Sequence, residues 1–366
     1  MNLEHAYNMN LLRKNTKHLA LLVTIALVSS SSKLHAFSYT FADSASINDA
    51  NSVTHATGYN GTGGVLNISV GVDSTSVNAS DMLVSVGNAV NTFNNLIVTT
   101  GNLSSDFTNI ASGAFDFESV LLHELGHSLG LGHVNAASES GLTGSDQNYT
   151  VAGEGDNSTL DLNAGSDGII GSADDIRGDD VNFNWFSTLN NDPFAIGAVV
   201  DSTTYSVDIA NLPSGDSFSA NGDRLVAGGL GYTDTEAVMQ QGTFNNEIQR
   251  TLAADDVAGI LFANSGFDRI AGTADDYTIN LSFVGLTSSA DILIDFDNST
   301  SFAVSQSSAS IITTASGTRD AVIVSNNILF NDGFDWHFNT LSSVPEPSAL
   351  VLSVFSCGFF LARRRS

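Results

Sequence analysis

The chain has 366 residues, enough for a sizeable core in one large or two modest domains. It carries 12 basic against 39 acidic side chains, a formal net charge of −27, and one cysteine, Cys357. That balance excludes nucleic acid as a partner, because phosphate binding needs Lys and Arg, and it excludes a disulfide framework.

Arg13, Lys14 and Lys17 precede an apolar run from Leu19 to Val28, and Leu34-His35-Ala36 offers a small residue for cleavage after Ala36. Residues 1–36 therefore read as a secretory signal peptide, with an uncleaved membrane anchor as the alternative. Between 37 and 347 there remain five arginines, no lysine and 38 acidic residues, a charge of about −33 that favours cation binding or solubility in salt. Val65 to Val72 alternates apolar and polar residues and predicts a strand. Asp81 to Phe93 sets Met82, Leu83, Val86, Val90 and Phe93 at helical spacing.

A second helix is predicted over Phe117 to Leu129, with Asp116 as N-cap and Val120, Leu121, Leu125 and Leu129 as apolar positions. His123 and His127 lie one turn apart on its face, so both imidazoles can reach one ion at about 2.0 to 2.1 Å. Glu124 stands beside them as general base. Gly130 follows, where a left-handed residue ends a helix without a Cβ penalty, and the chain reversal lets His133 approach as a third neutral ligand. Three histidines around an open face suit a catalytic zinc, which acidifies a water to a pKa of about 7 and polarises a carbonyl.

Residues 135–235 are rich in Gly, Asp and Asn, which predicts loops. Gly165 to Asp175 and Gly266 to Asp276 repeat a pattern of glycine turns and aspartates. Asp167, Asp174 and Asp175 in the first, and Asp268, Asp275 and Asp276 in the second, either wrap oxygen ligands around Ca2+ or form solvated acidic turns. Beyond Thr278 the stretches Ile279–Val284, Ala290–Phe296, Ala309–Thr314 and Ala321–Leu329 predict strands, read as a β-rich extension over 278–343. Phe334, Trp336 and Phe338 alternate with polar residues as in a half-buried strand, and His55 and His337 read as ordinary histidines.

The run from His123 to His133 resembles the metzincin metallopeptidases, matching His-Glu-x-x-His-x-x-Gly-x-x-His at each fixed position. Met239, in Glu236-Ala237-Val238-Met239-Gln240-Gln241, looks like the methionine turn that this family places under its zinc. Arg250 to Ile260 resembles the helix of the matrixin-like branch that begins Asp-Asp-x-x-Gly-Ile. Gln241 stands where astacins and serralysins carry a tyrosine, so no tyrosine ligand is expected, and Val134-Asn135 replaces the serine or threonine usual in matrixins. The resemblance implies an α+β fold: a metzincin-like catalytic domain over 37–277, with a twisted mixed sheet built ahead of a zinc-binding helix and residues 135–235 as a long insertion, then the β-rich extension. It implies one catalytic Zn2+ on His123, His127 and His133, with Glu124 as base and with Met239 and Gly130 as supports.

Val344-Pro345-Glu346-Pro347, the apolar run Ala349 to Ala362 and Arg363-Arg364-Arg365 resemble the PEP-CTERM sorting signal of bacteria over 344–366. An exosortase-type processing enzyme would read it. The run is shorter than the about 20 residues of a self-sufficient span, which suits a transient membrane anchor, with a permanent C-terminal membrane helix as the alternative. Together these readings give a secreted or surface-sorted zinc endopeptidase acting on protein or peptide substrates, exported across the inner membrane of a Gram-negative-type cell to its surface or matrix. The alternative is a calcium-binding matrix or surface protein whose zinc site is structural or vestigial.

Overall fold

The computed structural model describes residues 36–41, 52–134, 162–163, 176–177, 184–186, 194–206, 224–229, 231–240 and 242–339. They belong to one compact unit, Ser32–Ser366. In chain order the first half supplies β1 (Ala36–Tyr39), β2 (Thr54–His55), β3 (Gly64–Asp73), α1 (Ala79–Asn95), β4 (Ser104–Ser105), β5 (Phe115–Asp116), α2 (Phe117–Ser128) and β6 (Leu131–Gly132). The middle supplies the short β7 (Leu162–Asn163), β8 (Ile176–Arg177), β9 (Asn184–Phe186), β10 (Tyr205–Ser206), α3 (Arg224–Gly229) and β11 (Glu247–Ile248). Then come α4 (Ala254–Asn264), β12 (Tyr277–Thr287), β13 (Ile292–Phe296), β14 (Ala303–Thr313), β15 (Arg319–Phe330) and β16 (Trp336–His337).

The six-stranded sheet runs β12-β3-β13-β15-β14, with β2 added alongside β15. Its members pair in parallel except β14, which lies antiparallel on β15 at the outer edge. Helices α1 and α2 pack against this sheet and each other, α1 over β3 and β12 and α2 over β14 and β15. The fold is thus mixed helix and sheet, as the alternation of β3 and the helical spacing of α1 require. Met82, Val86, Ala89, Val90 and Phe93 of α1 are buried on one face, and Ile68, Val70 and Val72 of β3 are buried beneath.

The order in which the chain delivers the sheet differs from expectation. The strands after residue 277 are not an appendage: β12 and β13 flank β3 on its two sides, Leu281 opposite Ile68 and Ile294 opposite Val72. Parallel neighbours need a long crossover, and here the crossover from β3 to β12 contains α1, α2 and α4. β3 could not bury its apolar face without them, so the boundary drawn at 277/278 falls inside one core.

Phe117 opens α2 and is fully buried, its ring 4.7 Å from Phe330 and 4.9 Å from Phe338. Trp336 joins that aromatic cluster and β16 pairs with β5, so the last described strand grips the start of α2. Among the described residues no helix is long and apolar enough to cross a membrane. The predicted signal peptide (save Ala36, which opens β1) and the sorting tail lie outside the described residues.

Candidate metal centre

Asp116 caps α2 as the sequence predicts, accepting from the Ser119 N–H at 3.0 Å and its hydroxyl at 2.6 Å. Arg250 donates from Nε to the same carboxylate at 2.9 Å and steadies the cap. The helix ends at Ser128, one residue before the predicted Leu129, and Gly130 follows with φ +109°. A Cβ on Gly130 would lie 2.5 Å from the Thr54 carbonyl oxygen, so the reversal needs glycine on two counts.

This turn brings His133 to His123 and His127. The Nε2 atoms of His127 and His133 are 3.2 Å apart, and those of His133 and His123 are 3.3 Å apart. Nδ1 of His123 faces the Val238 carbonyl at 2.6 Å and Nδ1 of His127 faces the Leu131 carbonyl at 2.7 Å. A carbonyl can only accept, so each Nδ1 carries the proton and each Nε2 offers a lone pair to the shared point. One N–H on His133 could serve only one of the two facing lone pairs. A cation serves all three, and the triad can hold a metal ion.

The imidazoles are half-buried and line a cleft of about 510 Å³ with Glu124, Phe302, Ser305 and Gln240. Burial keeps His123 below the usual histidine range, and burial together with His123 takes His127 down to about 3. His133 is held well below that range by burial and by the other two rings. All three are therefore neutral nitrogen donors at neutral pH. Burial pushes the Glu124 carboxyl up to about 7, against a lowering pull from the Ser305 N–H. A carboxyl balanced there can take a proton and return it.

Met239 is buried and packs against the helix at Gly126. A Cβ on Gly126 would fall 2.3 Å from its Sδ, so this glycine between the histidines clears room for the thioether. The sequence reading did not single out Gly126. In the sequence Asp256 is only the second residue of the Asp-Asp pair that opens the matrixin-like helix, whereas its carboxylate accepts from the N–H groups of Val238 (2.9 Å), Met239 (3.0 Å) and Ala253 (2.8 Å). Asp256 thus ties α4 to the methionine segment and, through the Val238 carbonyl, to His123.

The aspartates proposed for calcium fare differently. Asp167, Asp174 and Asp175 lie outside the described residues. Asp275 accepts from the Phe267 N–H (2.8 Å) and the Thr273 hydroxyl (2.7 Å), Asp276 from the Gly272 N–H (2.5 Å), and Asp268 from the Ile270 N–H (2.9 Å). The Thr273 hydroxyl fills the space between their Oδ1 atoms, at 2.7 to 3.2 Å from each. These carboxylates make their hydrogen bonds within their own loop, and among the described residues only the three histidines bring three side-chain ligand atoms together around one point. His55, by contrast, is fully buried among Tyr59, Phe267 and Tyr277 with its Nε2 3.5 Å from Asp320, an interior histidine outside any metal cluster.

No family model, curated protein or solved structure matches this chain.

Proposed function

We propose that the protein is a zinc-dependent endopeptidase of metzincin type. The observation that carries this reading is the set of three neutral imidazoles converging in an open cleft beside Glu124. Two nitrogens held tetrahedrally by zinc at about 2.05 Å are about 3.3 Å apart, which the observed 3.2 and 3.3 Å approach. Neutral nitrogen donors with a position left free favour zinc in a catalytic role over a closed structural site of four protein ligands. When bound, zinc supplies Lewis-acid polarisation of the substrate carbonyl and acidifies the attacking water. Glu124 takes the proton from that water and delivers it to the departing amine nitrogen. Asp256, Val238 and Met239 hold the histidine side of the site in place. Export through the N-terminal leader, and transient anchoring by a C-terminal tail cut by an exosortase-type enzyme, complete the proposal.

The test is zinc content and cleavage of a quenched peptide library by the full chain, beside Glu124→Ala. We expect one zinc per chain in both and a loss of turnover of at least about 100-fold in the variant, as for removal of a general base. Cleavage that survives Glu124→Ala with zinc bound would remove Glu124 from the chemistry.

A further inference from the structure

The outer strand β14 does more than close the sheet. Near its start, Ser305 lies on the wall of the cleft that Glu124 also lines. The Ser305 backbone N–H faces that carboxyl and favours its charged form, against the larger effect of burial. β14 is held on one side by its ladder to β15, where Ser305 lies opposite Ile328, and has no strand on its other side.

A second tie, from the strand to the helix, comes from Asn326 on β15, which is 3% exposed. Its Nδ2 donates to the Ser128 carbonyl at 2.9 Å, at the last turn of the metal-binding helix. Its Oδ1 accepts from the Ser128 hydroxyl at 3.0 Å and the Ser305 hydroxyl at 3.2 Å, and those two hydroxyls are 3.0 Å apart. A buried amide thus bridges the helix that carries Glu124 and the strand that faces it. Both polar atoms of its side chain are used on that bridge, the condition under which a buried polar group rigidifies its surroundings.

We propose that Asn326 is a positioning residue for the reaction: by locking β14 to the end of α2 through Ser305 and Ser128, it holds the Ser305 N–H on the Glu124 carboxylate. The inference rests on the peptidase reading for its catalytic consequence but not for its geometry.

The test is site-resolved amide hydrogen exchange on the zinc-loaded full chain, together with kcat and KM on a cleaved peptide. In Asn326→Ala, exchange at Ser305 should rise about tenfold, the size of one hydrogen bond to a charged group, while the β13–β15 ladder amides are unchanged. kcat should fall by a similar factor, about tenfold, with KM within about twofold and zinc still at one per chain. Asn326→Ser is the gentler variant where alanine fails to fold, and should move both readouts the same way. Glu124→Ala in an otherwise native chain should also speed exchange at Ser305. Unchanged Ser305 exchange in the Asn326 variants or in Glu124→Ala overturns the proposal, as does a KM effect with kcat intact. If the native chain cleaves nothing yet the exchange pattern holds, the peptidase reading fails and the catalytic half of this proposal falls with it, leaving only the structural lock of β14 to the end of α2.

Discussion

Two groups of metal-capable side chains can be set side by side in this molecule. At the histidine centre the second nitrogen of His123 and of His127 is turned back onto a backbone carbonyl, which leaves their Nε2 lone pairs aimed at one point. In the 266–276 loop the carboxylates of Asp268, Asp275 and Asp276 are turned onto backbone N–H groups and the Thr273 hydroxyl. Both groups have the residue types of an ion site. What separates them is geometry: three imidazole nitrogens gather around one point, whereas the carboxylates accept from N–H groups of their own loop and share the single Thr273 hydroxyl proton.

The sharpest way to break this contrast is to delete one member from each group. His133→Ala should weaken zinc binding by more than about 100-fold, beyond the loss expected from an outer partner, and abolish cleavage. Asp275→Ala should leave zinc stoichiometry unchanged and cost about 1 kcal/mol of stability, as the Phe267 N–H and Thr273 hydroxyl lose their shortest acceptor. Zinc content by atomic absorption and thermal unfolding with and without calcium read both. A calcium-dependent rise in melting temperature that Asp275→Ala removes would make the loop an ion site after all.

The sequence carried the histidine half of this contrast because its information is local. A spacing of four on a helix puts His123 and His127 on one face, and Gly130 turns the chain back three residues before His133. The aspartate half was legible in residue type alone, since side-chain direction depends on where Thr273 and the loop N–H groups sit. The partners of the site were hidden for another reason. Ser305 and Asn326 come from strands 177 and 198 residues beyond Ser128, and alternation marks a strand without naming its neighbour. The same limit explains why β12 to β15 read as an extension although β3 depends on them for its core. Asp256 was visible as an acidic helix start, yet its three N–H donors belong to segments that only the fold brings together.

A second, smaller perturbation probes how tightly the histidine helix is seated. On an exposed helix Gly→Ala gains about 1 kcal/mol of propensity. At Gly126 the added Cβ would fall 2.3 Å from the Met239 sulfur, which is buried, so overpacking of about 1–3 kcal/mol should win and Gly126→Ala should destabilise. In a Met239→Ala background the clash is gone and the same substitution should stabilise. The change of sign in a double-mutant cycle followed by urea unfolding is the result expected. Equal effects in both backgrounds would mean that Met239 does not set the spacing beneath the helix.

The smallest effect sharpens the aspartate side and is a matter of pH. Burial raises the Asp275 carboxyl, but the Thr273 hydroxyl and the N–H groups of Asp268 and Phe267 together outweigh it and leave the group below its ordinary value of 3.8. A carboxyl depressed in the folded state binds fewer protons there than in the unfolded chain. Its contribution is therefore complete above about pH 4 and is lost as the pH falls through the folded value. Because the group is partly open to solvent, the slope should be shallow. Asp275→Asn keeps the oxygen acceptor and removes the titration, so its stability curve should run parallel to the native one at neutral pH and flatter below about pH 4. An ion bound by this loop would add a steeper acid limb that vanishes on chelation, whereas a self-satisfied turn gives the same shallow limb with chelator or without it.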